Sequence, residues 1–266
     1  MRLKIAHQTD YAFTGPVDYA LQELRLTPKS RAGQQVLAWK IEMEGAVRQA
    51  DFEDQHNNQV TLTTVAGRPD RIRIRCHGEV ETQNRAGVVG EHGGYAPLWY
   101  FRRSTALTRP GAGLRRLARE IGPGDDADIS RMHRLSSAVA AAVRYDKSPT
   151  HVATTAEQAL EAGAGVCQDH AHVFIAAARL LGFPARYVSG YLMLDAGIEQ
   201  EAAHAWAEAW IRDIGWVGFD VSNAICPDER YVRVATGLDY REAAPVSGMR
   251  YGTAAESMVV TLAVQQ

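Results

Sequence analysis

The stretch Gly163-Ala164-Gly165-Val166-Cys167-Gln168-Asp169-His170 decides how this chain is read. Its glycines mark a turn, an Ala-rich run follows, and the thiol falls at the start of the helix which that run predicts. A helix N-terminus carries unpaired N–H groups and partial positive charge, which favour a thiolate. Downstream stand His204, in Ala203-His204-Ala205-Trp206-Ala207-Glu208, and Asp220, in Gly215-Trp216-Val217-Gly218-Phe219-Asp220. A thiol, an imidazole and a carboxylate in that order point to a cysteine nucleophile with a base and an orienting acid.

The elements between them make the grouping feasible. His204 follows the helix on a predicted strand, and a turn at Asp213-Ile214-Gly215 returns the chain on an antiparallel neighbour. Asp220 would then sit beside His204 and fix the tautomer of its ring. The Cys167 N–H is a candidate oxyanion-hole donor, because amides at a helix start have no intrahelical partner.

Composition narrows the remaining classes. The chain has 266 residues, 46% hydrophobic and 23% charged, with a formal net charge of −2. That balance suits a globular fold and supplies no electrostatic footprint for nucleic acid or an anionic membrane. The basic run Arg71-Ile72-Arg73-Ile74-Arg75 alternates strictly and reads as a strand with a solvated Arg face. No apolar run reaches the roughly 18 residues of a membrane span. Met1-Arg2-Leu3-Lys4-Ile5-Ala6-His7 lacks the apolar core of a signal peptide, so a cytoplasmic location is expected. Cys76, Cys167 and Cys226 are too widely spaced for a disulfide framework or a paired-cysteine metal site.

Two blocks are expected. Residues 1–107 show period-two runs: Leu3 and Ile5 towards Tyr11, Leu24 and Leu26, Leu37 to Met43, Val60 to Thr64, and Ile72 to Cys76. Short strands with turns between them predict a β-sandwich-like N-terminal domain. The character changes at Thr108-Arg109-Pro110-Gly111. Residues 108–266 are expected to hold helices over 114–121, 128–144, 155–162 and 167–181, then strands over 185–193, 204–211, 216–221, 231–234 and 257–264. The final apolar run, Met258 to Val264, is too hydrophobic for a loose tail and is expected to pair with a sheet.

Several of these segments resemble one family. Gly165-Val166-Cys167-Gln168-Asp169, Gly182-Phe183-Pro184-Ala185-Arg186-Tyr187-Val188-Ser189-Gly190-Tyr191, His204-Ala205-Trp206-Ala207-Glu208 and Gly215-Trp216-Val217-Gly218-Phe219-Asp220 are similar to the bacterial transglutaminase-like superfamily, often described as cysteine proteases. The resemblance spans about residues 130–240. Leu21-Gln22-Glu23-Leu24-Arg25-Leu26-Thr27-Pro28 resembles that family's β-rich N-terminal region. The resemblance implies an α+β, papain-like core in which a Cys-bearing helix packs on an antiparallel sheet carrying His and Asp. It implies Cys167 as nucleophile, His204 as general base and acid, and Asp220 as orienter.

The expected chemistry is amide processing through a thioester acyl-enzyme. Water as acceptor makes a peptidase or amidase, the outcome favoured here; an amine makes an acyl transferase. A peptide or protein amide is the expected substrate, with no cofactor. A non-catalytic binding or assembly protein with the same fold is the alternative, opposed by the presence of all three candidate residues. Zinc is the other chemistry open to Cys, His and Asp, but no pair among them has the short spacing of a helical or knuckle site.

His170 stands one helical turn after Cys167, where the family often has an aromatic residue. It lines the substrate site, tunes the thiolate or fills an aromatic slot. Trp206 is the other substrate-binding candidate. His172 reads as a structural hydrogen-bonder, and Asp169 and Glu208 as secondary polar contacts. The loop Gly90-Glu91-His92-Gly93-Gly94-Tyr95 either shapes substrate access or simply connects.

Overall fold

Alternation in the first third of the chain becomes strand after strand: β1 (Arg2–Phe13), β2 (Tyr19–Thr27), β3 (Gln34–Glu44), β4 (Ala46–Glu53), β5 (Gln59–Val65) and β6 (Arg71–Thr82). The computed structural model describes residues 1–122, 128–147, 150–194, 199–200 and 203–266. On β6, Ile72, Ile74 and Cys76 point inward, while Arg71 and Arg73 pair with Asp10 and Arg75 pairs with Glu44 on the outer face. This is the solvated Arg face that strict alternation predicts.

The short strand β7 (Val88–Gly90) leads into the helical part. There α1 (Ala112–Ile121), α2 (Asp128–Ala142), β8 (Arg144–Tyr145), α3 (Ala156–Ala162), β9 (Ala164–Gly165) and α4 (Cys167–Leu180) follow. Met132, Leu135 and Val139 form the buried stripe of α2, as their three- and four-residue spacing predicts. Next come β10 (Ala185–Leu192), β11 (Glu199–Gln200), β12 (His204–Ile211), β13 (Gly215–Phe219) and β14 (Tyr231–Gly237). The chain ends in α5 (Tyr240–Ala243), β15 (Val246–Tyr251) and β16 (Glu256–Gln265).

The strands form three main sheets, ordered β11-β16-β1-β6-β3, β15-β2-β5-β4 and β14-β10-β12-β13-β7. The last is the core sheet, antiparallel throughout. Helix α4 lies on one of its faces, with Ala171, Phe174 and Ala178 against Ala205, Ala207, Ala209 and Phe219. Alanine at alternate positions of β12 leaves room for the helix to approach closely. Arg179 pins the far end of α4, donating to the carbonyls of Phe101, Ala185 and Leu238 and to Thr108.

One inward face of β1 serves three purposes. Leu3 and Ile5 pack with Val80, Leu262 and Val264 against Tyr191, Val232 and Val234 of the core sheet. Tyr11 packs with Ile72 and Ile74 against Leu24 and Leu26 of the second sheet. His7 and Thr9, between these clusters, are buried as well.

Strand pairing does not follow the division at 107/108. β16 runs along the whole of β1, from Lys4↔Gln265 to Phe13↔Glu256, and β15 pairs with β2. In the other direction, β7 pairs with β13. The apolar C-terminal run therefore does find a ladder, and the ladder belongs to the N-terminal sandwich. β6 occupies one edge of β1 and β16 satisfies the other, which would otherwise leave unpaired backbone groups.

Candidate active site

The turn before α4 has a local explanation. α3 opens with a capping box between Thr155 and Gln158 and closes on Gly163 at φ 64°, a left-handed conformation suited to glycine. Gly165 follows because a Cβ there would lie 2.7 Å from both Cβ and Oδ2 of Asp169. Asp169 uses that space: its Oδ2 accepts from the Val166 N–H at 2.8 Å and from Thr150 Oγ1 at 2.7 Å. The buried carboxylate thus ties down the backbone just ahead of Cys167, the first residue of α4.

His204 is the first residue of β12, and Asp220 follows the last residue of β13. His204 Nε2 donates to Asp220 Oδ2 at 2.6 Å. The same oxygen accepts from Tyr231 OH and from Asn223 Nδ2, each at 2.7 Å. With Nε2 committed to Asp220, Nδ1 is the ring nitrogen left for Cys167, which lines the same cavity and helps to raise the His204 pKa.

Burial by itself would lower the His204 pKa. Its hydrogen bonds and opposite charges at Asp220 and Cys167 outweigh burial and push it up to about 10. Burial would likewise raise Asp220, but His204, Asn223 and Tyr231 outweigh it and hold the carboxyl below its ordinary range. The arrangement favours an imidazolium held by the Asp220 carboxylate.

Cys167 and His204 face a cavity of about 290 Å³. Its other walls come from distant parts of the chain: His7, Thr9 and Tyr11 of β1, Met258 and Val260 of β16, and Val246 at the start of β15. Tyr187, Ser189 and Tyr240 complete the inner side. Among the described residues no Asp, Glu, Lys or Arg lines it. His7 stays neutral, since burial lowers its pKa to about 4. Sequence reasoning missed these walls; a polar pair, His7 and Thr9, on the inward face of β1 was the one hint.

Neither His170 nor Trp206, the two substrate-binding candidates, is among the residues lining the cavity. His170 is buried, with Nε2 donating to the Val143 carbonyl and Nδ1 bonded to Ser222 Oγ, both at 2.8 Å. Burial holds it neutral, and it ties α4 to the turn that follows Asp220. Trp206 stacks on the His204 ring at 6.2 Å and shields the His204–Asp220 bond from water. His172 is fully buried and accepts from the Tyr240 N–H, a structural role. Glu208 points to the far face of β12, between Arg186 and Arg233. In the 90–95 loop, His92 accepts from Trp216 Nε1 and packs among Phe101, Trp210 and Trp216; none of these loop residues lines the cavity.

Comparison with known proteins bears on the fold and the family. A protein-glutamine gamma-glutamyltransferase of Pseudomonas aeruginosa is 32% identical over 102 residues, 33% of this chain and 15% of that protein. An uncharacterized protein of Mycobacterium leprae is 29% identical over 282 residues, covering 99% of this chain and 98% of its own length. A putative cysteine protease from Cytophaga hutchinsonii shares the fold, with a TM-score of 0.76 at 21% identity over 100% of this chain and 91% of that one. Residues 3–81 match the bacterial transglutaminase-like N-terminal region and residues 115–221 match the transglutaminase-like superfamily, and on these two matches the chain belongs to that superfamily.

Proposed function

We propose that this protein is a cysteine-dependent amide-processing enzyme working through Cys167, His204 and Asp220. The observation that carries the reading is the position of His204, bonded to Asp220 on one nitrogen and sharing with Cys167 a cavity that no Asp, Glu, Lys or Arg lines among the described residues. The thiolate attacks the amide carbonyl and forms the C–S bond, while the Cys167 N–H steadies the oxyanion. The tetrahedral intermediate then collapses, the C–N bond breaks, and His204 passes its proton to the leaving amine. A thioester remains. His204, now neutral, takes a proton from the incoming water or amine, which displaces the thiolate.

Cavity chemistry supports a substrate with an uncharged, largely apolar group beside the reacting carbonyl. A charged group there would lose its hydration and, beyond the reacting pair Cys167 and His204, find no Asp, Glu, Lys or Arg among the described lining residues. We favour hydrolysis. The transferase named among the relatives keeps amine transfer as the second outcome, because the same thioester serves both.

The test is acylation. Intact-mass measurement after a thiol-directed peptidyl probe should show one adduct on the wild type, none on Cys167→Ala and much slower labelling on His204→Ala. Equal labelling of wild type and Cys167→Ala would sink the reading. Product analysis with and without an added amine then separates hydrolysis from transfer.

A further inference from the structure

On the far face of the core sheet, at its seam with the sandwich, lies a second pocket of about 70 Å³. It shares no lining residue with the Cys167 cavity. Its charged walls are Arg31, Arg85, Arg233, Glu208 and Asp228.

Both carboxylates are already engaged. Glu208 Oε1 accepts from Arg233 Nε at 2.7 Å, and Oε2 accepts from Arg186 Nε at 2.6 Å and Arg233 Nη2 at 3.1 Å. Asp228 is clasped by Arg230, with Nη2 to Oδ2 at 2.7 Å and Nε to Oδ1 at 3.0 Å. The neutral neighbour Gln34 is spent on the Arg233 backbone, accepting from its N–H at 2.8 Å and donating to its carbonyl at 2.9 Å.

Arg31 is left over. Its Nε is shut off from solvent and has no hydrogen-bond partner among the described residues. Arg85 reaches the same turn because residue 33 is glycine; a Cβ there would lie 2.7 Å from Arg85 Cδ. Five guanidinium groups thus meet two saturated carboxylates, in a chain whose formal net charge is −2. A donor shut off from water without an acceptor is costly, and guanidinium forks match oxyanion geometry. A water occupies about 30 Å³, so the pocket has room for one small tetrahedral ion.

We infer that this seam pocket is a binding site for a small oxyanion, clamped by Arg31 and Arg85. The ligand is a phosphate or sulfate group or a carboxylate, and its site does not depend on the function proposed above. The occupant would sit one side chain behind the triad. Trp206 and Tyr231 line the pocket, and they also touch His204 and Asp220.

Thermal unfolding in inorganic phosphate, sulfate or acetate, each against chloride at equal ionic strength, tests it. At ten times Kd the wild type should gain roughly 3–6 °C in Tm. Phosphate and sulfate also raise Tm by exclusion from any protein surface, so the quantity read is the difference between wild type and Arg31→Gln. That variant should lose the anion-specific gain while unfolding no earlier in chloride, since it removes the guanidinium whose Nε has no acceptor among the described residues. Arg85→Gln, at an exposed position, should weaken the response and keeps the test available if Arg31→Gln folds poorly. A response to acetate as large as to phosphate assigns a carboxylate; one confined to phosphate and sulfate assigns a tetrahedral oxyanion. Equal shifts in wild type and both variants, or no saturable heat when phosphate is titrated into the folded protein, overturn the inference.

Discussion

Tyr231 donates its hydroxyl to Asp220 Oδ2 at 2.7 Å from a strand that is not a sheet neighbour of the Asp220 strand. β10 and β12 lie between β14 and β13, and Tyr231 reaches Asp220 from the first position of β14. It shares the acceptor oxygen with His204, so it holds the carboxylate from the side the imidazole does not cover. Tyr231→Phe should lower kcat/KM roughly tenfold, the value of a hydrogen bond to a charged group, with KM nearly unchanged. Steady-state kinetics on any substrate found for the protein would check this. Asp220→Asn should cost far more, about 10²–10⁴-fold, because the ring then loses its charge partner.

The His204 charge sets a pH window. Its pKa rises from 6.5 to about 10 on folding, so the stability it contributes is complete below about 6.5 and is lost as pH climbs through about 10. Cys167 chemistry that needs the imidazolium should fall along the same alkaline limb. The pH profile of probe acylation should bend down near that value in the wild type and show no such limb in His204→Gln.

Cavity shape makes a separate prediction. Val260 of β16 lines the same cavity as Cys167. Val260→Trp should fill much of the space and lower kcat/KM at least tenfold for substrates with a bulky apolar group. Alkylation of Cys167 by iodoacetamide, which needs no cavity, should stay within about twofold of wild type. Loss of both together would show that β16 had shifted.

Glu208 anchors the other side of the sheet. Burial would raise its pKa, but Arg186 and Arg233 outweigh that and bring it down to about 2. Glu208→Gln should destabilise the fold by about 3–5 kcal/mol, the usual cost of leaving buried charges unpaired. Thermal or urea unfolding would measure it, and a loss under about 1 kcal/mol would mean the two arginines find other partners.

The candidate site was legible in the sequence to the extent that its signals are local. Cys167 after a glycine turn, the Asp213-Ile214-Gly215 reversal and the alternation of β12 are each encoded within a few residues, and His204 and Asp220 do meet. Asp169 could be read only as a polar neighbour, since its work on the Val166 N–H depends on how the turn closes. His170 illustrates the limit. Its spacing places it one turn from Cys167, yet its partners, Val143 and Ser222, lie 27 residues before and 52 residues after it, and they draw the ring away from the cavity.

Periodicity and turn chemistry act over short range, so the linear chain already encodes the four longer helices, most of the longer strands and the inward faces of those strands, while β4, β15 and α5 escaped that reading. Tertiary structure alone decided what those inward faces meet. Alternation says that His7, Thr9 and Val260 point inward; it does not say that one end of β1 covers the core, its middle a cavity and its other end a second sheet. Pairing of β16 with β1 is a long-range ladder, and it is this ladder that gives the Cys167 cavity its far wall.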